Sequence, residues 1–294
     1  MNTLQFSFEA IGTAWTIDIF AHNTNLTKND FINKITQRID EYDHIYSRFR
    51  QDSIITKLSK AGGSEQLPND SRELFRLYKD LYKITEGTFT PLIGNVMEDL
   101  GYDSTYSLKP KDIIRTAPSW DDTIDFKYPK LTLKQPAVLD FGAAGKGHIV
   151  DLVGVLLELE GVTSYCIDAG GDILYKSAQK DPLRIGLEHP TNPKQVIGLV
   201  NITNGSICGS AGNRRTWGKY HHIIDPKTNS SPEHIVSVWV IAKKAILADA
   251  LATALYFTSP ESLSEHFSFD YAMLYKDLTL KKSETFPGEI FYNT

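Results

Sequence analysis

The chain has only two cysteines, Cys166 and Cys208, in 294 residues. Two thiols are too few for a structural zinc site built on cysteine, and with no secretory signal they read as reduced thiols of a cytoplasmic protein. C-x-x-C, H-E-x-x-H and H-x-E are all absent, which argues against a zinc enzyme. The start, MNTLQFSFEAIGT, has no basic region leading into an apolar core, so no signal peptide is expected. No apolar run approaches the ~20 residues that a transmembrane helix needs, so no membrane partner is expected. Nor is there an excess of positive charge: 31 Lys and Arg stand against 36 Asp and Glu, for a net charge of −5. With no run of five like charges, a nucleic-acid partner is not expected either. Internal repeats and low-complexity linkers are also missing. What remains is a globular composition, 41% hydrophobic and 23% charged, long enough for a full core.

Periodicity gives the elements. Leu4–Phe20 alternates strand-formers around Gly12. Phe31, Ile35, Ile39, Tyr42 and Ile45 recur at helical spacing within Thr27–Tyr46. Asp52-Ser53 caps a short helix through Leu58, and Asn69-Asp70-Ser71 caps another, Arg72–Thr85, which Gly87 ends. A short helix is expected at Lys111–Arg115, and two strands with a turn at Tyr128-Pro129-Lys130 lie within Asp122–Leu139. Strands are expected at Ser164–Asp168, Leu183–Leu187, Val196–Ile202 and His234–Ile241, with two more in Phe267–Leu280. Ala245–Phe257 reads as a helix stopped by Ser259-Pro260. The fold class expected is α+β: one unit over residues 1–294, of mixed sheets with flanking helices and a ligand site at the junction of two halves.

The chemistry concentrates in DFGAAGKGHIVD, Asp140 to Asp151. A strand-like run, Lys130–Leu139, leads into it and a helical run, His148–Leu159, follows. Gly142, Gly145 and Gly147 allow close backbone approach, and a helix N-terminus with Lys146 beside it suits a phosphate. The motif is neither a Walker loop, since Gly147 follows the lysine, nor G-x-G-x-x-G, since Ala143 and Ala144 follow Gly142. The alternative is a tight turn with a solvated lysine. Asp249 and Thr253, four apart on one helix, put a carboxylate and a hydroxyl on one face, suited to Mg²⁺ or Ca²⁺. A favoured first-turn aspartate beside an ordinary threonine is the other reading. His222, in HIIDP, could move a proton near a phosphate or simply bond backbone at a strand end. Arg48 and Arg50 read as surface salt-bridge partners or phosphate contacts.

Taken in order, FEAIGT (Phe8–Thr13), SRFRQDSIITKLS (Ser47–Ser59), DFGAAGKGHIVD, IDAGGDI (Ile167–Ile173), HIIDP (His222–Pro226) and LADALATAL (Leu247–Leu255) resemble the FAD:protein FMN transferase (ApbE) family over nearly the whole chain. The resemblance implies an enzyme that binds FAD and Mg²⁺ and moves FMN to a Thr or Ser hydroxyl in a flavinylation motif of an acceptor flavoprotein, releasing AMP. Alternatives are hydrolysis of FAD to FMN and AMP, or flavin binding without turnover. It further implies Mg²⁺ ligation by the Ala143 carbonyl with Asp249 and Thr253, the latter two on the expected helix. Asp140 and Lys146 would contact FAD, with Ile11, Phe49, Thr88, Phe89, Thr90 and Ile223 at further flavin or adenine positions. His222 matches a histidine that assists transfer, so His222 and Asp249 are the expected catalytic pair. The chain departs from the family pattern at Ile11, usually Met, at Thr90, usually acidic, at Gly145, more often Ala, and at Gly209-Ser210-Ala211, usually T-S-G.

Overall fold

The computed structural model describes residues 3–291. Its centre is an eight-stranded sheet in the order Leu4–Ala10, Thr13–His22, Val162–Ala169, Ile173–Lys176, Gly205–Ala211, Ile235–Ala242, Asp270–Tyr275 and Leu280–Lys282. Every neighbouring pair in it is antiparallel. The first two strands form a hairpin turned at Ile11 (φ 44°) and Gly12 (φ 71°). Glycine accepts that conformation freely, whereas a β-branched isoleucine is strained in it.

Three helices cover one face: Lys28–Tyr46, Gly145–Leu159 and Ala245–Ala254. The first begins where the Thr27 hydroxyl accepts from the Asp30 N–H and the Asp30 carboxylate accepts from the Thr27 N–H, a reciprocal cap that satisfies two end donors. Its Phe31, Ile35, Ile39 and Tyr42 are buried, as their spacing predicts. These helices and the sheet share the main core, which includes Trp15, Ile17, Val150, Val153 and Leu251. On the other side, a three-stranded sheet (Gly288–Ile290, Asn192–Ile202, Leu183–His189) encloses a second cluster with Leu187, Ile207 and Trp239. Val96, Met97, Tyr102, Trp217 and Ile224 form a third.

The expected α+β class is observed, with several local corrections. Lys111–Arg115 is irregular, because Lys111 and Arg115 are both drawn onto the buried carboxylate of Asp99. The Ser71–Ile84 helix has no side-chain cap: Asp70 instead accepts from the Tyr46 hydroxyl at 2.7 Å and pairs with Arg38. The strand before the glycine turn ends at Leu133, and the chain runs irregularly to Asp140. The helix after the turn starts three residues earlier than expected, at Gly145. Gly205–Ala211, where no strand is expected from the sequence, is a central strand.

Candidate functional site

Two helices meet head to head at the glycine turn. A Cβ on Gly147 would lie 2.2 Å from the Ala245 carbonyl oxygen, so only glycine permits this approach. The contact is locked from both sides. Asp151 of the first helix accepts from the Ala245 and Ile246 N–H groups, each at 2.9 Å, and so caps the second helix. Asp249 of the second helix accepts from the Gly147 N–H at 2.9 Å. The anion expected at the helix N-terminus is therefore, in this structure, the chain's own Asp249 carboxylate.

Nor is Lys146 a free surface cation. Its ammonium lies between Asp172, with which it makes the shorter contact, and Asp249, whose Oδ1 is 3.3 Å away. Burial would lower the Lys146 amine, but the two carboxylates outweigh it and hold the pKa well above the ordinary lysine value. Burial, and then the Asp172 charge, push the Asp249 carboxyl above the ordinary aspartate value against the pull of Lys146 and the Gly147 N–H. Asp172 is 1% exposed, and its Oδ1 has no partner. One turn on from Asp249, the Thr253 hydroxyl is 3.5 Å from the Ser210 hydroxyl.

Asp140 is held by Arg48, whose Nε donates to Oδ2 at 2.5 Å, and by the Gly142 N–H on Oδ1 at 2.7 Å. Arg48 is buried, so the surface reading fails for it, whereas Arg50 does pair with Asp40, Asp43 and Asp52 at the surface. The Arg48 guanidinium lies 4.2 Å from the Phe49 ring centroid and 5.4 Å from that of Tyr102. It also donates to the Tyr102 carbonyl at 3.0 Å, while its Nη1 has no partner. Across the site, His222 has a buried Nδ1 without a partner, and burial, with Arg215 adding to it, lowers this imidazole to about 3. His221 is the backbone-bonding histidine, with Nε2 3.0 Å from the Pro232 carbonyl oxygen.

A cavity of about 880 Å³ lies beside these groups, bordered by residues of all three apolar clusters. Phe49, Thr88, Phe89, Thr90, Asp140, Ala143, Lys146, His222, Ile223, Asp249 and Thr253 all border it. Ile11 does not; it lines an adjoining hollow of about 680 Å³ that shares Phe49, Tyr102, Asp140, Lys146 and Arg215 with the cavity. The Thr90 hydroxyl accepts from the Leu92 N–H at 3.2 Å and so caps the Pro91–Ile93 turn. Sequence reasoning missed Asp172, Arg215, Tyr102 and the buried role of Arg48. The glycine pair before Asp172 was the available signal for the first.

The donors facing Asp249 fit a hard divalent ion. Asp249, Thr253 and Ala143, which carry carboxylate, hydroxyl and carbonyl oxygens of the kind a hard divalent ion takes, border the same cavity, and Asp249 already faces a cation, the Lys146 ammonium.

The chain belongs to the ApbE family, whose model matches residues 11–271. Its curated relatives include the FAD:protein FMN transferase of Buchnera aphidicola, 26% identical over 276 residues, covering 86% of this chain and 79% of that one. The FAD:protein FMN transferase of Escherichia coli K12 is 25% identical over 285 residues, covering 87% and 79%. The ApbE protein of Thermotoga maritima shares the fold with a TM-score of 0.82 at 19% identity, covering 97% of this chain and 98% of that one. The flavin transferase ApbE of Vibrio cholerae has a TM-score of 0.78 at 21% identity, covering 96% of each.

Proposed function

We propose that this protein is a Mg²⁺-dependent FAD:protein FMN transferase, acting as a single unit on a Thr or Ser hydroxyl of a cytoplasmic acceptor flavoprotein. The observation that carries the reading is the convergence of Asp140, Ala143, Lys146, His222, Asp249 and Thr253 on one cavity in a chain of this family. The curated relatives' activity and the cavity's size for a dinucleotide support it. Among the described residues no helix is long and apolar enough to cross a membrane.

In this reading Asp249, Thr253 and the Ala143 carbonyl hold the ion. Bound there, Mg²⁺ would draw charge from the pyrophosphate oxygens and ease departure of AMP. Lys146 and the backbone of the glycine turn offset charge on the nonbridging oxygens. Phe49 borders the cavity as part of an aromatic wall, with Arg48 4.2 Å and the stacked Tyr106 5.4 Å from its ring centroid. The acceptor oxygen attacks the phosphorus on the FMN side, the bridging P–O bond breaks, and AMP leaves with the bridging oxygen. His222 accepts the acceptor's proton. Its buried Nδ1 has no partner and is available for that proton.

The test is incubation with FAD and Mg²⁺, with and without a threonine-bearing acceptor peptide, following AMP and peptide mass. A peptide heavier by one FMN, with stoichiometric AMP, is expected. AMP and free FMN over an unmodified peptide would replace the transferase reading with a pyrophosphatase. Asp249→Ala should abolish cleavage, and undiminished cleavage would remove the metal site.

A further inference from the structure

In this structure Lys146 provides the charge that a divalent ion would bring to Asp249. The two oxygens of Asp249 are divided: Oδ2 takes the Gly147 N–H at 2.9 Å, and Oδ1 faces the Lys146 ammonium at 3.3 Å. Oδ1 is thus the atom that an incoming cation would claim, and a lysine left beside that cation would repel it. Asp172 lies on the other side of the same ammonium and makes the closer contact. It is fixed at the end of the Gly170-Gly171 turn, where its carbonyl accepts from the Ala169 N–H at 3.0 Å, and it is almost wholly buried. Its Oδ1 has no partner, so it has an unused acceptor for a second ammonium proton.

We propose that Asp172 is a positioning residue that receives Lys146 when a divalent cation binds, so that the lysine vacates Asp249 without leaving the site. The inference rests on the Asp249 ion site proposed above. It makes Lys146 an internal competitor of the metal and Asp172 the group that limits the competition. Lys146 gives up its Asp249 contact and keeps the Asp172 contact it already has, so it has a counter-ion and its charge throughout.

The test is binding of Mn²⁺ alone to the resting protein, read from the paramagnetic resonance signal of free Mn²⁺, with circular-dichroism melts to confirm folding. Lys146→Met should bind Mn²⁺ about tenfold or more tightly, because the competing charge is gone. Asp172→Asn should weaken binding by about tenfold, because the lysine then has only Asp249. Simple electrostatics would give both signs, so the deciding measurement is the double variant. In the Lys146→Met background, Asp172→Asn should change the affinity by less than about threefold, since there is no lysine left to restrain. Equal weakening by Asp172→Asn in both backgrounds would show that Asp172 acts on the ion directly and would overturn the proposal. So would a Lys146→Met protein that binds no more tightly than the wild type. Lys146→Gln supplies the same measurement if the methionine variant fails to fold. A wild type that binds no Mn²⁺ overturns the exchange, whereas the flavin-transfer reading stands or falls separately on the peptide assay.

Discussion

Gly147→Ala is the perturbation whose outcome the structure fixes most tightly. Alanine is favoured over glycine in a helix interior by about 1 kcal/mol, so propensity alone predicts a gain. Packing opposes it. The new methyl would lie 2.2 Å from the Ala245 oxygen, 2.5 Å from the Ala245 carbon and 2.8 Å from the Asp249 Cβ. Two of these are backbone atoms of a capped helix start, so no rotamer change relieves the clash. The helices must separate, at a typical overpacking cost of about 1–3 kcal/mol. Separation also stretches the Gly147 N–H bond to Asp249 and the two Asp151 bonds to the Ala245 helix, which are charged hydrogen bonds of about 1.5–3 kcal/mol each. Loss of about one such bond, with the overpacking and less the propensity gain, leaves about 3 kcal/mol of destabilisation. With the usual unfolding entropy per residue, that is a fall in Tm of about 5 °C. Gly145→Ala is the control on the same helix. Its Cβ would meet the Tyr42 hydroxyl at 3.5 Å and the Phe141 Cβ at 3.7 Å, ordinary contacts, so its stability should hold or rise slightly. Calorimetry on both variants decides: a Gly147→Ala protein as stable as Gly145→Ala would refute the close-approach argument.

Other expectations concern the buried charges. Arg48→Met leaves Asp140 without its main partner and should cost about 3 kcal/mol in urea unfolding, a loss under about 1 kcal/mol showing that Asp140 is adequately solvated without it. His148 is buried, and burial lowers it to about 4 against the opposing charges of Asp70 and Glu73. The unfolded chain then protonates first, so His148 supports the fold above about pH 6.5, a contribution of about 3 kcal/mol that is lost as pH falls toward 4. His148→Gln should therefore lose less stability than the wild type between pH 7 and 4.5, and parallel curves would show that His148 does not titrate with folding. His222→Gln should slow transfer by about 10²–10⁴ while leaving FAD affinity within a few-fold, and an unchanged transfer rate would remove His222 as the base.

Much of this was legible in the chain. The helix Lys28–Tyr46 showed itself through apolar residues at helical spacing, whereas its Thr27 cap emerged only in the structure. The glycine turn and the Asp249–Thr253 pair were visible because each lies within a few residues. Contacts that span the sequence were not. Lys146 meets Asp172 and Asp249 from 26 and 103 positions away, and no local pattern reports that pairing. Arg48 read as a surface residue because its partner Asp140 is 92 positions on. Gly205–Ala211 hid as a strand because GSICGSA has one β-branched residue, and its neighbours in the sheet supply its order. Lys111–Arg115 read as a helix start on local pattern, but Asp99 captures both of its cations.

The exchange of carboxylates between the two helices also bears on when the site comes into being. Each helix start is finished by an acid carried on the other, Asp151 on one and Asp249 on the other. A chain emerging from the ribosome has the glycine turn, Lys146 and Asp140 long before it has residue 249 of 294. Until then the turn has no anion of its own and Lys146 lacks one of its two counter-charges. Nascent chains that have not reached Asp249 therefore present the glycine turn and Lys146 without the carboxylate that completes them.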